Sequence, residues 1–252
     1  MKNTLTLLFA LFLLNSIVSA QDTLYMYKSG NLIFKRSVTE IDSITFYQAE
    51  QNTVTDVDGN IYNIVEIGSQ TWFAENLRTS HYNDNTPIPL VTENTDWSDL
   101  SAGAYCWFDN DSATYEIPYG KMYNWYAVNS EKLCPDGWHV PVESEWLELA
   151  NYLGGTSVAG GKLKATGTVE AETGLWEAPN TGATNETGFS ALPGGRRYGN
   201  GSFEQKGIRG TWWSSQDVPG YAFFWSTGNN TSSLNGASQS FNNGMSVRCV
   251  KD

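Results

Sequence analysis

The sequence CPDGWHVPVESEWLELANYLGG, residues 134–155, carries the strongest local signal in the chain. Its apolar residues recur at i, i+3, i+4 and i+7, the spacing of one helix face. These residues are Trp146, Leu149, Ala150 and Leu153. Two glutamates fall in the first turn, where negative charge favours the helix dipole, and a Gly-Gly pair follows the last turn. The pattern predicts an amphipathic helix over 143–153.

Short strands are predicted on both sides of this helix. Residues 61–67 and 71–73 flank Gly68 and Ser69, an arrangement typical of a β-hairpin. After Gly188, glycine-punctuated apolar runs predict further strands, at 189–192, 211–214, 222–225 and 246–250. A second short helix is predicted over 121–128 from helical spacing of its apolar residues. Together these elements predict an α+β domain with two short helices and many short antiparallel strands.

The N-terminal region predicts export. A positive residue, Lys2, precedes an apolar run over 5–14, and small residues end at Ala20. This is the pattern of a signal peptide over 1–20 with cleavage after Ala20, and the run is too short to span a bilayer. We expect an extracellular, cell-surface or periplasmic protein. A short β-rich segment and linker follow at 21–53, with strands predicted at 24–27, 32–34 and 41–47. The main domain is predicted at 54–252.

Composition restricts the partners. The formal net charge is −12, from 15 Lys+Arg and 27 Asp+Glu. Such an acidic chain disfavours binding to a phosphate backbone, so no nucleic-acid partner is expected. No stretch is long and apolar enough to predict a transmembrane segment.

The sequence gives little support for a metal or a catalytic centre. The segment 56–60 resembles a calcium loop, but its glycine is in the wrong position and Ile67 stands where an acidic ligand is required. The acidic cluster 109–111 is typical of a solvated turn. No cofactor is therefore expected, and no sequence motif supports Ca²⁺ binding. Hydrolase, metalloprotease and P-loop motifs are missing, although a carboxylate pair that is distant in sequence stays an alternative. His139, between two apolar residues, is expected to be structural.

Aromatic residues are the remaining candidates for ligand binding. Most of the 10 Trp residues fall in predicted helices and strands and are expected in the core. Three others lie in or beside polar segments, and a tyrosine follows a Pro-Gly turn. The candidate stacking residues are Trp97, Trp176, Tyr221 and Trp225.

Six blocks in order along the chain resemble the Fibrobacter succinogenes major paralogous domain. They are IGSQTWFAENL (67–77), YGKMYNWYA (119–127), CPDGWHVP (134–141), GFSALPGG (188–195), WWSS (212–215) and SVRCV (246–250). The resemblance covers about 54–252. This family implies no known mechanism.

The stretch VPVESEW, 140–146, is more distantly similar to the formylglycine-generating-enzyme fold, a variant of the C-type lectin fold. This resemblance implies a lectin-like domain with variable surface loops at 84–103, 164–185 and 216–240. Val142 stands where a Ser or Thr cap is usual, which costs about 1 kcal/mol of capping. The paired catalytic cysteines and the calcium-dependent sugar motifs of those relatives are missing, so the resemblance transfers a fold and not an activity.

Three cysteines in an exported chain predict one pair and one free thiol. In the lectin-like fold the terminal strand returns beside the helix entry, which favours a disulfide between Cys134 and Cys249, with Cys106 buried and free. Pairing of Cys106 with Cys134 is the competing arrangement.

These observations predict a non-enzymatic binding module that recognises a glycan or a cell-surface protein. The alternative is an enzyme, either a formylglycine-generating-enzyme relative or a hydrolase with an unrecognised carboxylate pair.

Overall fold

A computed structural model describes residues 23–28, 31–40 and 52–252. The chain forms two compact units, the first ending at Glu50 and the second beginning at Gln51. The predicted signal peptide at 1–20, its cleavage site and the third predicted strand at 41–47 lie outside the described residues.

The first unit contains one antiparallel hairpin. Strand β1 (Thr23–Lys28) pairs with β2 (Asn31–Ser37), with an irregularity in register after Met26. A short 3-10 turn, Val38–Glu40, follows. The two strands predicted for this region are confirmed.

The second unit is an α+β domain with five short helices and mostly antiparallel strands. The helices are α1 (Asn94–Ser98), α2 (Ser112–Tyr119), α3 (Trp125–Val128), α4 (Glu143–Tyr152) and α5 (Thr156–Leu163). The strands are β3 (Thr53–Thr55), β4 (Ile61–Ile67), β5 (Gln70–Phe73), β6 (Tyr105–Cys106), β7 (Met122–Tyr123), β8 (Trp138–His139), β9 (Arg196–Arg197), β10 (Phe203–Glu204), β11 (Arg209–Val218), β12 (Tyr221–Gly228), β13 (Asn235–Gln239) and β14 (Val250–Lys251).

Two sheets organise this domain. The first has the strand order β3-β4-β5-β14-β8, so the last strand of the chain is inserted between β5 and β8. The second is the meander β11-β12-β13. The predicted hairpin is confirmed as β4 and β5, in which Gly68 adopts a positive φ of 66° and the ring of Tyr152 lies directly against it.

The helix predicted from residues 143–153 is confirmed as α4. Its apolar face enters an aromatic core, where Trp146 contacts Trp72 with ring centroids 4.8 Å apart. Val142 gives no side-chain cap, as expected. Instead its backbone N–H donates to the Glu145 carboxylate at 2.9 Å, which is the reciprocal half of a capping box.

Other helix predictions need correction. Only α3 forms within 121–128, because Tyr123 pairs with Tyr105 in a strand ladder and is unavailable to a helix. The surface loop expected at 84–103 contains α1. Helix α5 had no predicted counterpart: its glycines are buried against neighbouring backbone, so helical packing outweighs their low helix propensity.

Candidate functional site

Three of the four predicted stacking residues are buried, which corrects that part of the sequence analysis. Trp97 and Trp176 have no exposed surface, and Trp225 is 3% exposed. Trp97 donates from Nε1 to the carbonyl of Asn242 at 2.7 Å, and Trp176 donates to that of Ala191 at 3.1 Å. Their polar sequence neighbours suggested a surface position, but tertiary contacts place the rings inside. None of the three can stack on a ligand.

Tyr221 differs from these tryptophans. It begins β12, directly after the turn that joins β11 to β12, and is 54% exposed. Its role in ligand binding therefore stays a prediction.

The polar groove that we call the Trp138 groove lies where the domain closes on its last strand. Its volume is about 540 Å³. Its wall is formed by the segment around β8 and by residues after α3, and it includes the last residue of the sequence. The lining residues are Asn83, Val128, Asn129, Glu131, Leu133, Cys134, Pro135, Asp136, Gly137, Trp138, His139, Val140, Val142, Ser215 and Asp252.

Four amide or carboxylate side chains of this groove make no hydrogen bond within residues 52–252, and neither does the Ser215 hydroxyl. The four are Asn83, Asn129, Glu131 and Asp136. Asn83 and Glu131 are instead held through their backbone N–H groups, which donate to the carbonyls of Lys132 and Val128. The groove therefore presents amide and carboxylate groups from a fixed backbone, free to bind an external partner.

Trp138 supplies the aromatic surface of the groove. One side of its ring packs on Phe73, with centroids 4.8 Å apart, and the residue stays partly exposed. From the sequence, Trp138 is expected in the core because it lies in a predicted structural element, and its partial exposure corrects this expectation. Half-burial is what a short edge strand such as β8 allows, since only one side of the strand is covered.

His139 fastens the same region. Its Nδ1 is 2.7 Å from Asp252 Oδ1, and its Nε2 is 2.9 Å from Glu145 Oε1. Burial lowers the pKa of His139, but the hydrogen bonds and charges of these two carboxylates outweigh it and raise the pKa above its usual value. Both ring nitrogens are occupied, so His139 joins Asp252, the residue after β14, to the first turn of α4. This is the arrangement of a structural histidine.

A disulfide lies at the wall of the groove, which includes Cys134. Cys134 and Cys249 are bonded, with Cα atoms 6.0 Å apart, and the predicted pairing is confirmed. Cys106 is free and buried, also as predicted. Burial raises the pKa of the Cys106 thiol to about 12, so it is a poor source of thiolate.

Buried cations, which the sequence analysis did not identify, hold the loops of the domain. Lys164 Nζ donates to the carbonyls of Thr181, Gly228 and Thr231 at 2.9–3.0 Å. Burial lowers the pKa of Lys164 to about 8. Thr181 and Thr231 lie in segments without regular secondary structure, and Gly228 is the last residue of β12. One ammonium group therefore joins two loops at the end of this strand.

Two arginines act in the same way. Arg248 donates to Asn76 Oδ1 and to the carbonyls of Phe73, Phe189 and Ser190. Arg197 donates to the carbonyls of Gly201, Val91 and Thr92 and to Asn94 Oδ1. Neither has any exposed surface. Their signal in the sequence is an Arg inside an otherwise apolar or Gly-rich block.

The acidic turns are satisfied by their own chain. Asp56 accepts hydrogen bonds from Tyr62 Oη at 2.6 Å and from the N–H of Asn60 at 2.9 Å. Asp111 caps α2 by accepting from the N–H of Thr114. Across the described ranges, no three His, Cys, Asp or Glu side chains are placed to hold a metal ion.

These features define an α+β domain that is closed by a disulfide and carries a polar groove at its closing edge. The chain belongs to the Fibrobacter succinogenes major domain family, whose model matches residues 65–251. No curated protein and no solved structure matches the chain. Among the described residues, no helix is long and apolar enough to cross a membrane.

Proposed function

We propose that this protein is an exported binding module and that the Trp138 groove binds a glycan. The observation that carries the proposal is the set of four amide and carboxylate side chains without hydrogen-bond partners in residues 52–252, beside a partly exposed tryptophan. Carboxylate and amide groups donate to and accept from sugar hydroxyls, and an aromatic surface contacts the apolar side of a sugar ring.

The fold supports a lectin-like frame. Strand β14 pairs with both β5 and β8, and the disulfide fastens it next to the entry of α4. This is the closure expected for the C-type lectin-like arrangement. Disulfides persist in oxidising compartments, which supports export to the cell surface, periplasm or medium.

The cysteines support binding over formylglycine-type catalysis. Cys249, near the end of the chain, is bonded to Cys134, and Cys106 is buried with a raised thiol pKa. Thiolate chemistry is therefore disfavoured at all three positions.

A glycan array probed with the full chain, followed by calorimetric titration of the best ligand, tests the proposal. Asp136→Ala and Asn129→Ala are expected to weaken binding about fivefold or more each, because each removes a hydrogen-bonding group from the groove. Tyr221→Ala is the matched control on a different surface.

Two results would overturn the placement. One is a bound glycan whose affinity is unchanged by both groove variants. The other is a loss of affinity in Tyr221→Ala alone, which would move the site to the β11–β12 hairpin. Selective capture of a protein partner that the groove variants abolish would keep the site and replace the glycan.

A further inference from the structure

Two arginines lie over one face of the β11-β12-β13 sheet. The guanidinium carbon of Arg196 is 5.9 Å from the centroid of the Phe224 ring, and Arg209 Nη1 is 3.5 Å from Ser226 Oγ. Phe224 and Ser226 are two residues apart on β12, so their side chains point to the same side of the sheet. The two cations therefore lie over one patch.

Arg196 is buried and Arg209 is half-buried. Both differ from Lys164, Arg197 and Arg248 because some of their N–H donors have no acceptor. Within residues 52–252, no carboxylate lies within 4.0 Å of either one, although the chain contains 27 acidic residues. Arg196 donates one hydrogen bond, from Nη2 to Tyr198 Oη at 2.6 Å. The Nε atoms of both arginines are buried without an acceptor.

The unused donors indicate a missing partner. Arg196 is only 8% exposed, and a buried charge without a counter-charge is costly. Two further nitrogens, Arg196 Nη1 and Arg209 Nη2, also donate no hydrogen bond. Neither belongs to the buried atoms without a partner, so both keep contact with solvent. The patch is thus open to a small ligand at its outer nitrogens.

We propose that Arg196 and Arg209 form a binding site for an oxyanion, either the carboxylate or sulfate group of an acidic saccharide or the free ion. Guanidinium groups present planar pairs of N–H donors that match the geometry of such groups. Tyr198 positions Arg196 through its hydroxyl and its ring, whose centroid is 4.4 Å from the guanidinium carbon.

The adjoining strand presents exposed residues on the same face. Ala237 pairs with Phe224 and Asn235 pairs with Ser226, so both lie on the same face of the sheet. Both are exposed. A small side chain and an amide beside the two cations would accommodate a polar ring attached to the anionic group.

Glu204 sets the balance of charge at this site. It is directly opposite Arg196 in the β9–β10 pair, and it is exposed. It forms no ion pair with Arg196, but its charge opposes the approach of an anion. This gives the site a variant that should strengthen binding.

NMR titration of the isotopically labelled full chain tests the proposal at low ionic strength, where surface electrostatics are least screened. The probes are sodium glucuronate, sodium sulfate, sodium chloride and glucose. Glucuronate or sulfate is expected to shift the amide signals of residues 196–198 and 224–226, whereas chloride and glucose leave them in place.

The two anions separate the ligand sources. Saturable shifts with glucuronate and weaker ones with sulfate assign the site to an acidic sugar, and the opposite order assigns it to sulfate. Equal shifts from chloride, or no shift with either oxyanion, overturn the proposal.

Matched variants sharpen this test. Arg209→Gln should weaken oxyanion binding about tenfold, because a charge-assisted hydrogen bond is lost. Glu204→Gln should strengthen it about twofold to threefold, since a nearby negative charge is removed. Lys132→Gln, which removes a positive charge at the exposed ion pair with Asp84, is the control and should leave binding unchanged.

An equal loss in Lys132→Gln would contradict a local site, and so would unchanged binding in Arg209→Gln. The proposal is independent of the Trp138 groove. The Asp136→Ala variant should bind oxyanions normally, so failure of one site is distinguishable from failure of the other.

Discussion

The Trp138 groove and the loops around the buried cations are both built from polar residues in irregular segments, but they use them in opposite ways. Lys164, Arg197 and Arg248 all donate to backbone carbonyls of the protein itself, and both arginines also donate to an asparagine side chain. In the groove, four amide and carboxylate side chains have no hydrogen-bond partner within residues 52–252. Polar groups with hydrogen-bond partners inside the protein stabilise the fold, whereas those without such partners are available to a ligand.

Removal of the disulfide should have the largest effect on this frame. Replacement of Cys134 and Cys249 by Ser should lower the free energy of unfolding by about 4 kcal/mol, because the bond closes a loop with a sequence separation of 115. Urea unfolding monitored by tryptophan fluorescence measures the change. A loss below about 1 kcal/mol would show that the other contacts of β14 suffice.

A buried arginine should come next. Arg248→Met should cost about 3 kcal/mol, since the carbonyl oxygens of Phe73, Phe189 and Ser190 would stay buried without their donor. The same urea unfolding experiment applies. Arg36→Met, at an exposed ion pair of the N-terminal hairpin, is the control and should cost almost nothing. Equal costs for the two variants would contradict the distinction drawn here.

The His139 contacts should give a smaller, pH-dependent effect. Because the pKa of His139 is raised in the folded state, its stabilisation is complete below the unfolded pKa of about 6.5 and is lost as pH rises through the folded pKa. The His139 side chain is 38% exposed, so the loss should stay below about 1 kcal/mol.

Thermal unfolding between pH 5.5 and pH 8, compared with His139→Gln, measures it. The wild-type chain should lose stability towards pH 8, and the variant should show a flatter profile. A rise in wild-type stability over this range would refute the assigned direction of the pKa shift.

The groove should give the smallest effect on stability. Asp136→Ala and Asn129→Ala should change the free energy of unfolding by less than about 0.5 kcal/mol, because neither side chain forms a hydrogen bond within residues 52–252. If either variant lowered the free energy of unfolding by more than about 1 kcal/mol, its side chain would contribute to folding stability. The contrast between the two regions would then be wrong.

Local patterns made part of the fold predictable. Helix α4 followed from a strict apolar period, and the β4–β5 hairpin from two strand patterns around a Gly-Ser turn. The buried tryptophans could not be placed in this way. Trp176 lies in a Gly- and Asn-rich segment, yet its ring is sealed by the Lys164 ammonium at 5.2 Å and by a hydrogen bond to a distant carbonyl.

The sequence predicted residues that surround the candidate site but not the groove itself. The block 134–141 was recognised, and Cys134 was paired with Cys249 through the resemblance to a lectin-like fold. The groove itself joins Asn83, Asn129 and Asp252, which are far apart in sequence. No repeating spacing in the sequence marks such a set of residues. Its members lie close together in the fold, but they do not belong to one helix or strand.

The sequence by itself determined the acidic charge, the main amphipathic helix, the family blocks and the class of fold, because each of these depends on residue type or local spacing. Only the tertiary structure decided which polar groups form hydrogen bonds within the protein. Lys164 and Asp136 are both charged residues in loop-rich segments, and one is buried against three carbonyls while the other faces a groove. That difference arises from which distant segments pack beside each side chain, since burial and hydrogen bonding are properties of neighbours that the chain brings together only on folding.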